Sequence, residues 1–183
     1  MPRPRRFAHV VAFDDCQFDR EHRGDVGLIG AVFAGARLDG VVSGRVRRDG
    51  ANAASVMAQL IFDSRFIEHL QLVMLQGIAV AGFNVVDVFE LHSVTDLPVL
   101  VVAKKEPDFE AIHDTLTLRV RGGARKWQII ERLGHMERCR GVWVQRVGLT
   151  MEETDTILQR FAISGSYPEP VRVAHIIASG ITW

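Results

Sequence analysis

The chain has 183 residues, of which 48% are hydrophobic and 24% are charged, and its formal net charge at pH 7 is zero. These values are typical of a globular protein with one substantial core, so we expect a single domain over residues 1–183. A neutral chain is not expected to coat nucleic acid by bulk electrostatics, although this argument leaves local basic clusters open. No stretch reaches the ~18 uncharged apolar residues that a transmembrane helix needs, so no membrane association is expected.

The N-terminal sequence and the cysteines favour a cytoplasmic location. The start of the chain carries only about seven apolar residues before Asp14 and Asp15 interrupt it, so a signal peptide is not expected. Cys16 and Cys139 are far apart in the sequence and lack metal-type spacing, which favours reduced thiols over a disulfide.

The first third of the chain predicts a strand, a hairpin and a helix. A buried strand over residues 9–13 ends at Asp14 and Asp15. Two apolar runs between residues 26 and 46 meet near Gly35 and Ala36, which indicates an antiparallel hairpin. An apolar stripe with helical spacing follows, and it consists of Ala53, Val56, Met57, Leu60 and Ile61.

The central segment, Leu72 to Lys105, predicts a complete βαβ unit. Ligands gather at the carboxyl ends of parallel strands, so the first candidates for a functional role are Gln76, Gly77, Lys104 and Lys105. The helix of the unit is expected to carry an apolar face made of Val85, Val88, Phe89 and His92. We interpret His92 as a core or boundary residue rather than as a ligand.

The last third of the chain predicts four helices and one strand. One helix opens at Glu106-Pro107, and a second follows the Gly-Gly break at residues 122–123. A strand over residues 141–149 precedes a helix whose start carries the capping-box pair Thr150 and Glu153. The last helix is expected to have Pro170 at its first position.

This order of elements predicts an α/β fold with a mixed sheet of five or six strands and helices on both faces. The best-known example of such an arrangement is the RNase H-like fold.

Carboxylates at the ends of neighbouring strands are candidate metal ligands, because Mg²⁺ and Mn²⁺ prefer oxygen donors. Asp14 or Asp15 on the first strand and Asp49 after the hairpin satisfy this requirement. The alternative is structural, since aspartates at strand ends and helix starts are common caps, and Asp49-Gly50 is also a turn sequence.

Three basic clusters are candidates for contact with phosphate, although such clusters are most often solvated faces. They consist of Arg3, Arg5 and Arg6, of Arg45, Arg47 and Arg48, and of Arg119, Arg121, Arg125 and Lys126.

Two stretches of the sequence resemble endonuclease V. Residues 82–105 are similar to a helix that is followed by a Thr-x-Leu-Pro-x-x-x-Val-Ala-Lys-Lys strand in that enzyme, and residues 167–175 are similar to its Leu-Pro-x-Pro-x-Arg-x-Ala-His/Asp motif. Over nearly its whole length the chain resembles an endonuclease V-like family known as domain of unknown function 99. The shared features are the Asp-Asp strand, the Gly-Phe-Asn-Val-Val-Asp segment and the Pro-Glu-Pro-x-Arg-x-Ala-His ending.

The resemblance implies an RNase H-like fold and a nuclease that uses Mg²⁺ or Mn²⁺ to act on DNA or RNA. Asp14 matches a metal-binding aspartate, and Asp49 falls near a helix-opening glutamate of endonuclease V. Lys104 matches a lysine near the scissile phosphate, and His175 matches a position beside the metal.

Two departures from endonuclease V weaken the implied activity. Gln76 stands where that enzyme has a second metal-binding aspartate, and an amide brings no negative charge to a cation. Only Arg47 and Arg48 separate Val46 from Asp49, where endonuclease V inserts a Pro-Tyr-Ile-Pro-type wedge to open the duplex.

Three hypotheses follow. The first is a metal-dependent nuclease with an impaired site, in which Asp14, Asp49, Gln76, Lys104 and His175 are catalytic residues and Asp14 and Asp49 hold the metal. The second is a non-catalytic module that binds DNA or RNA through Arg47, Arg48, Lys105 and Arg172. The third is a scaffold for a small molecule or a protein partner.

Overall fold

The computed structural model describes residues 6–182, so the predicted basic residues Arg3 and Arg5 lie outside the described part. A seven-stranded mixed sheet has the order β3-β2-β1-β4-β7-β9-β8. Its strands are β1 (His9–Asp15), β2 (Asp25–Ala34), β3 (Arg37–Arg47), β4 (Leu72–Gln76), β7 (Val99–Ala103), β8 (Glu137–Cys139) and β9 (Val142–Val147). A small second sheet pairs β5 (Ala79–Val80) with β6 (Asn84–Val85).

Six helices accompany the sheets within residues 6–182. They are α1 (Ala53–Phe62), α2 (Val88–Thr95), α3 (Phe109–Arg119), α4 (Gly123–Leu133), α5 (Met151–Phe161) and α6 (Glu169–Ser179). No helix within residues 6–182 is long and apolar enough to cross a membrane.

The predicted hairpin and βαβ unit are both present. Strands β2 and β3 are antiparallel, and Ala34 pairs with Arg37, which leaves a two-residue loop. Gly35 in this loop has a φ of 62°, a conformation that glycine adopts without a steric penalty. Strand β4 is parallel to β1 on one side and to β7 on the other, so the carboxyl ends of all three strands lie at one edge.

Helices cover both faces of the sheet, because successive residues of its central strands point to opposite sides. On one side Val73 and Leu75 pack with α1 and α2. On the other side Leu72 and Met74 pack with α5 and α6. The predicted α/β architecture is therefore confirmed.

The start of the helix in the βαβ unit differs from the prediction. Val85 lies in strand β6, and α2 begins only at Val88. The side chain of Asp87 caps the helix by accepting hydrogen bonds from the backbone N–H groups of Phe89 and Glu90. His92 is half-buried, and its Nδ1 lies 2.8 Å from the Leu97 carbonyl oxygen, which is a structural contact.

The number of strands and the starts of two other helices also differ from the prediction. The sheet has seven strands rather than five or six. The additional strand, β8, has only three residues, two of them charged, so it is too short to show an alternating pattern in the sequence. Asp108 caps α3, which therefore begins two residues after Pro107. Pro168 occupies the N-cap of α6, so Pro170 is the second residue of this helix rather than the first.

Candidate functional site

The carboxyl edge of the three central parallel strands brings several predicted site residues together. Asp14 and Asp15 end β1, Gln76 ends β4, and Lys104 directly follows β7. Helix α6 packs against β1 and β4 on one face of the sheet and adds His175 to the same edge. A cleft of about 410 Å³ opens here, lined by Asp14, Asp15, Cys16, Gln17, Phe18, Gln76, His175 and Ser179.

A hydrogen bond between Asp14 and His175 joins the first strand to the last helix. The distance from Asp14 Oδ2 to His175 Nδ1 is 2.7 Å. An ionised carboxylate only accepts hydrogen bonds, so the imidazole donates from Nδ1 and leaves Nε2 unprotonated when it is neutral. Ser179, one helical turn later, places its Oγ 3.5 Å from Nε2. Asp14 is 6% exposed, whereas the His175 side chain is 53% exposed, so the imidazole reaches solvent in the cleft.

The adjacent carboxyls at the end of β1 are electrostatically costly. Burial raises the pKa of Asp14, and the hydrogen bond from His175 partly opposes this effect. Burial and then the neighbouring Asp14 charge raise the pKa of Asp15 to about 6. Among the described residues, no arginine or lysine lines this cleft, so the two carboxyls adjoin there beside the His175 imidazole.

Tyr167 links Gln76 to Lys104, and sequence reasoning did not assign it a role. The Tyr167 hydroxyl lies 3.3 Å from Gln76 Oε1 and donates to it, while Lys104 Nζ lies 4.8 Å from the centre of the phenol ring. Burial, and then the Asp14 charge, raise the pKa of Tyr167, so the hydroxyl keeps its proton. Its position at the start of the C-terminal motif was the one available signal in the sequence.

Asp49 lies in a neighbouring groove rather than among the residues that line this cleft. Its Oδ1 accepts a hydrogen bond of 2.8 Å from the backbone N–H of Phe83, and its own N–H donates to the Ala81 carbonyl at 2.9 Å. Arg48 Nε lies 3.5 Å from its Oδ2. The small β5–β6 hairpin therefore holds Asp49 in place, and the five predicted catalytic residues do not all share one cleft.

The predicted nucleic-acid-binding residues are dispersed. Arg47 and Arg48 line the same groove as Asp49. Lys105 is exposed after β7. Arg172 on α6 makes two hydrogen bonds to Glu169, of 2.7 and 2.6 Å, and this contact lowers the pKa of Glu169.

Within residues 6–182, no group of three or more His, Cys, Asp or Glu side chains is arranged to hold a metal ion. Asp14, Asp15 and His175 surround the cleft, and Gln76 contributes a neutral oxygen. At the end of β4, Gln76 supplies an amide at a position where a carboxylate would enlarge the acidic group.

Known proteins share this fold. A protein of unknown function from Archaeoglobus fulgidus superposes with a TM-score of 0.87 at 28% identity, covering 94% of this chain and 96% of that one. Endonuclease V from Ciona intestinalis, solved with a 24mer DNA containing an inosine followed by a ribo-adenosine, gives a TM-score of 0.61 at 11% identity, covering 93% and 84%. The predicted RNase H-like, endonuclease V-like fold is confirmed.

Sequence relatives lead to the family. A UPF0215 protein of Deinococcus radiodurans is 53% identical to this chain. The alignment has 185 positions and covers all of this chain and 94% of the relative. The family model described as Endonuclease dU matches residues 6–182. Because this match spans nearly the whole chain, the protein belongs to the Endonuclease dU family, an endonuclease V-like group, as its sequence motifs predicted.

Proposed function

We propose that this protein is a divalent-metal-dependent endonuclease that cuts DNA containing deoxyuridine, with the cleft of Asp14, Gln76 and His175 as its catalytic centre. The observation that carries the proposal is the buried Asp14 carboxylate, which orients the exposed imidazole of His175 at the carboxyl edge of the sheet. The family name supports deoxyuridine, and the inosine in the DNA bound to the Ciona enzyme is another deaminated nucleoside.

The donor set in the cleft is compatible with one hard divalent cation. Two neighbouring carboxyls whose pKa values are raised, with no lysine or arginine among the cleft-lining residues, form a site that a cation would stabilise. Asp14, Asp15 and the Gln76 amide oxygen would hold the ion. Bound there, Mg²⁺ or Mn²⁺ would stabilise negative charge on the phosphate oxygens during cleavage.

Side chains in and beside the cleft would position the substrate and transfer a proton. Asp14 fixes the imidazole tautomer of His175, so that Nε2 can accept a proton from an attacking water. The ammonium of Lys104, held over the Tyr167 ring, attracts a phosphate to this edge. Tyr167 orients the Gln76 amide, because its hydroxyl donates to Oε1 and leaves the second lone pair of that oxygen for another partner.

Non-catalytic binding of DNA or RNA is the second candidate function. It is favoured by Gln76, which brings no charge, and by Asp49, which lies in the neighbouring groove. It requires salt-sensitive binding without turnover.

Cleavage of a defined oligonucleotide panel separates the two candidates. The wild-type protein is incubated with labelled DNA that carries one deoxyuridine, one inosine or a matched thymidine, and with the matching RNA, in Mn²⁺ or in EDTA. We expect cleavage of the deoxyuridine strand in Mn²⁺ and none in EDTA. Binding to every strand without cleavage of any would support the second candidate and contradict the first.

A further inference from the structure

Two grooves meet at Asp49, beside the proposed catalytic cleft. The first has a volume of about 700 Å³ and is formed by the β1–β2 loop and the end of β3. The second has a volume of about 440 Å³ and is formed by the start of α4, α2 and the residues after Asp49. Asp49 lines both grooves, so they adjoin at this residue, and we describe the two together as one depression.

Cationic side chains dominate this depression. Together the two grooves are lined by seven Arg and Lys side chains and four carboxylates, although the whole chain carries no net charge. We call six of the cationic residues the arginine track, which consists of Arg20, Arg23, Arg47, Arg48, Arg121 and Arg125. The seventh, Lys126, donates a 2.5 Å hydrogen bond to the Asp49 carbonyl and so fixes α4 against the centre of the depression.

Most of the track is not neutralised by the protein itself. Within residues 6–182, Arg20, Arg23, Arg121 and Arg125 are exposed, and their side chains make no hydrogen bond or ion pair. Arg47 has one exposed carboxylate neighbour, Asp25, at 3.6 Å. The Nε of Arg48 is buried without a hydrogen-bond partner among the described residues.

The track lies next to the catalytic cleft. The Arg48 guanidinium stacks on the ring of Phe18, 5.3 Å from its centre, and Phe18 also lines the cleft. On the other side, Ala81 accepts a hydrogen bond from the Asp49 N–H and provides a backbone hydrogen bond to Asp15. Phe18 therefore contacts a residue of the depression and itself lines the cleft, and Ala81 contacts one residue of each.

We propose that the arginine track binds the sugar–phosphate backbone of the substrate strand on both sides of Asp49. Regularly spaced anions match a group of six guanidinium groups, of which only Arg47 and Arg48 have a carboxylate within 4 Å among the described residues. Arginine is also suited to bidentate phosphate contacts. The inference rests on the proposed function, because it states where the strand lies when its scissile phosphate is in the cleft.

Salt-dependent binding tests the track separately from cleavage. Affinity for single-stranded DNA is measured by fluorescence anisotropy over a salt series in EDTA, for the wild type, for Arg121→Gln/Arg125→Gln and for Arg20→Gln/Arg23→Gln. The matched control is Arg65→Gln/Arg138→Gln, which removes two exposed arginines that line neither groove. Thermal unfolding of each variant shows that it is folded.

Each track variant should lower the slope of log K against log salt by about 1.4, at ~0.7 for each lost phosphate contact, while the control keeps the wild-type slope. Track variants with the wild-type slope would overturn the inference, even if the wild-type protein cleaves deoxyuridine DNA. Reduced slopes in a protein that cleaves nothing would support the track and contradict the proposed endonuclease.

Discussion

Gln76 determines how strongly the proposed cleft binds a cation. It ends β4 beside the carboxyls of β1, and its oxygen accepts a hydrogen bond from Tyr167. An amide oxygen can coordinate Mg²⁺ or Mn²⁺, but it adds no charge to the attraction. With Gln76 at this position, the site is therefore expected to bind a metal ion more weakly than a site with a carboxylate there.

Gln76→Asp should tighten Mn²⁺ binding at least tenfold, because it adds a carboxylate to the carboxyl edge of the sheet. The matched control is Gln17→Asp, which adds the same charge at an exposed position of the same cleft. Isothermal titration calorimetry with Mn²⁺ measures both variants. Equal tightening by the two substitutions would mean that the carboxylate added by Gln76→Asp acts only through its charge, and that position 76 does not contact the metal.

The turn between α3 and α4 shows how two adjacent glycines serve different purposes. Gly122 has a φ of 71° and open space around it, whereas a Cβ on Gly123 would lie 1.7 Å from the Leu116 carbonyl oxygen. Gly122 therefore allows the turn, and Gly123 allows α4 to approach α3. This approach positions Arg121 and Arg125 in the track.

Gly123→Ala should lower the free energy of unfolding by about 3 kcal/mol, because the added methyl group displaces the backbone of α3. Gly122→Ala should cost about 1 kcal/mol, which is the penalty for a left-handed alanine. Urea unfolding followed by circular dichroism measures both. Equal losses would show that backbone conformation, rather than helix contact, sets the requirement at this turn.

The N-terminus of α5 is held by the predicted capping box, which is confirmed. Thr150 Oγ1 accepts a hydrogen bond from the Glu153 N–H, and Glu153 accepts one from the Thr150 N–H. Thr150→Ala should lower the free energy of unfolding by about 1 kcal/mol. Thr156→Ala, at an exposed position within the same helix, should change it by less than ~0.5 kcal/mol in the same urea titration.

At the scale of the whole molecule, the sequence predicted the helices and strands more completely than it predicted the contacts between them. The hairpin, the parallel strands and the capping box depend on neighbouring residues, so periodicity and turn chemistry were sufficient to predict them. The pairing of His175 with Asp14 joins residues 161 positions apart, and only the family resemblance placed both near a metal.

The remaining differences arise from tertiary contacts that no short window contains. The Tyr167–Gln76 hydrogen bond spans 91 positions. The position of Asp49 depends on the β5–β6 hairpin, whose strands have two residues each and whose last residue, Val85, the sequence pattern predicts in a helix. The arginine track combines three segments that are distant in the sequence. The sequence showed two of them as basic clusters but not that they lie side by side.

Cleavage by an Asp14 variant tests the location of the catalytic centre most directly. The rate of cutting a deoxyuridine-containing strand in saturating Mn²⁺ is compared between the wild type, Asp14→Asn and Asp19→Asn, where Asp19 is an exposed aspartate that does not line the cleft. We predict a loss of at least ~100-fold for Asp14→Asn and the wild-type rate for Asp19→Asn. An Asp14→Asn protein that is folded and cuts at the wild-type rate would contradict the assignment of the reaction to this cleft.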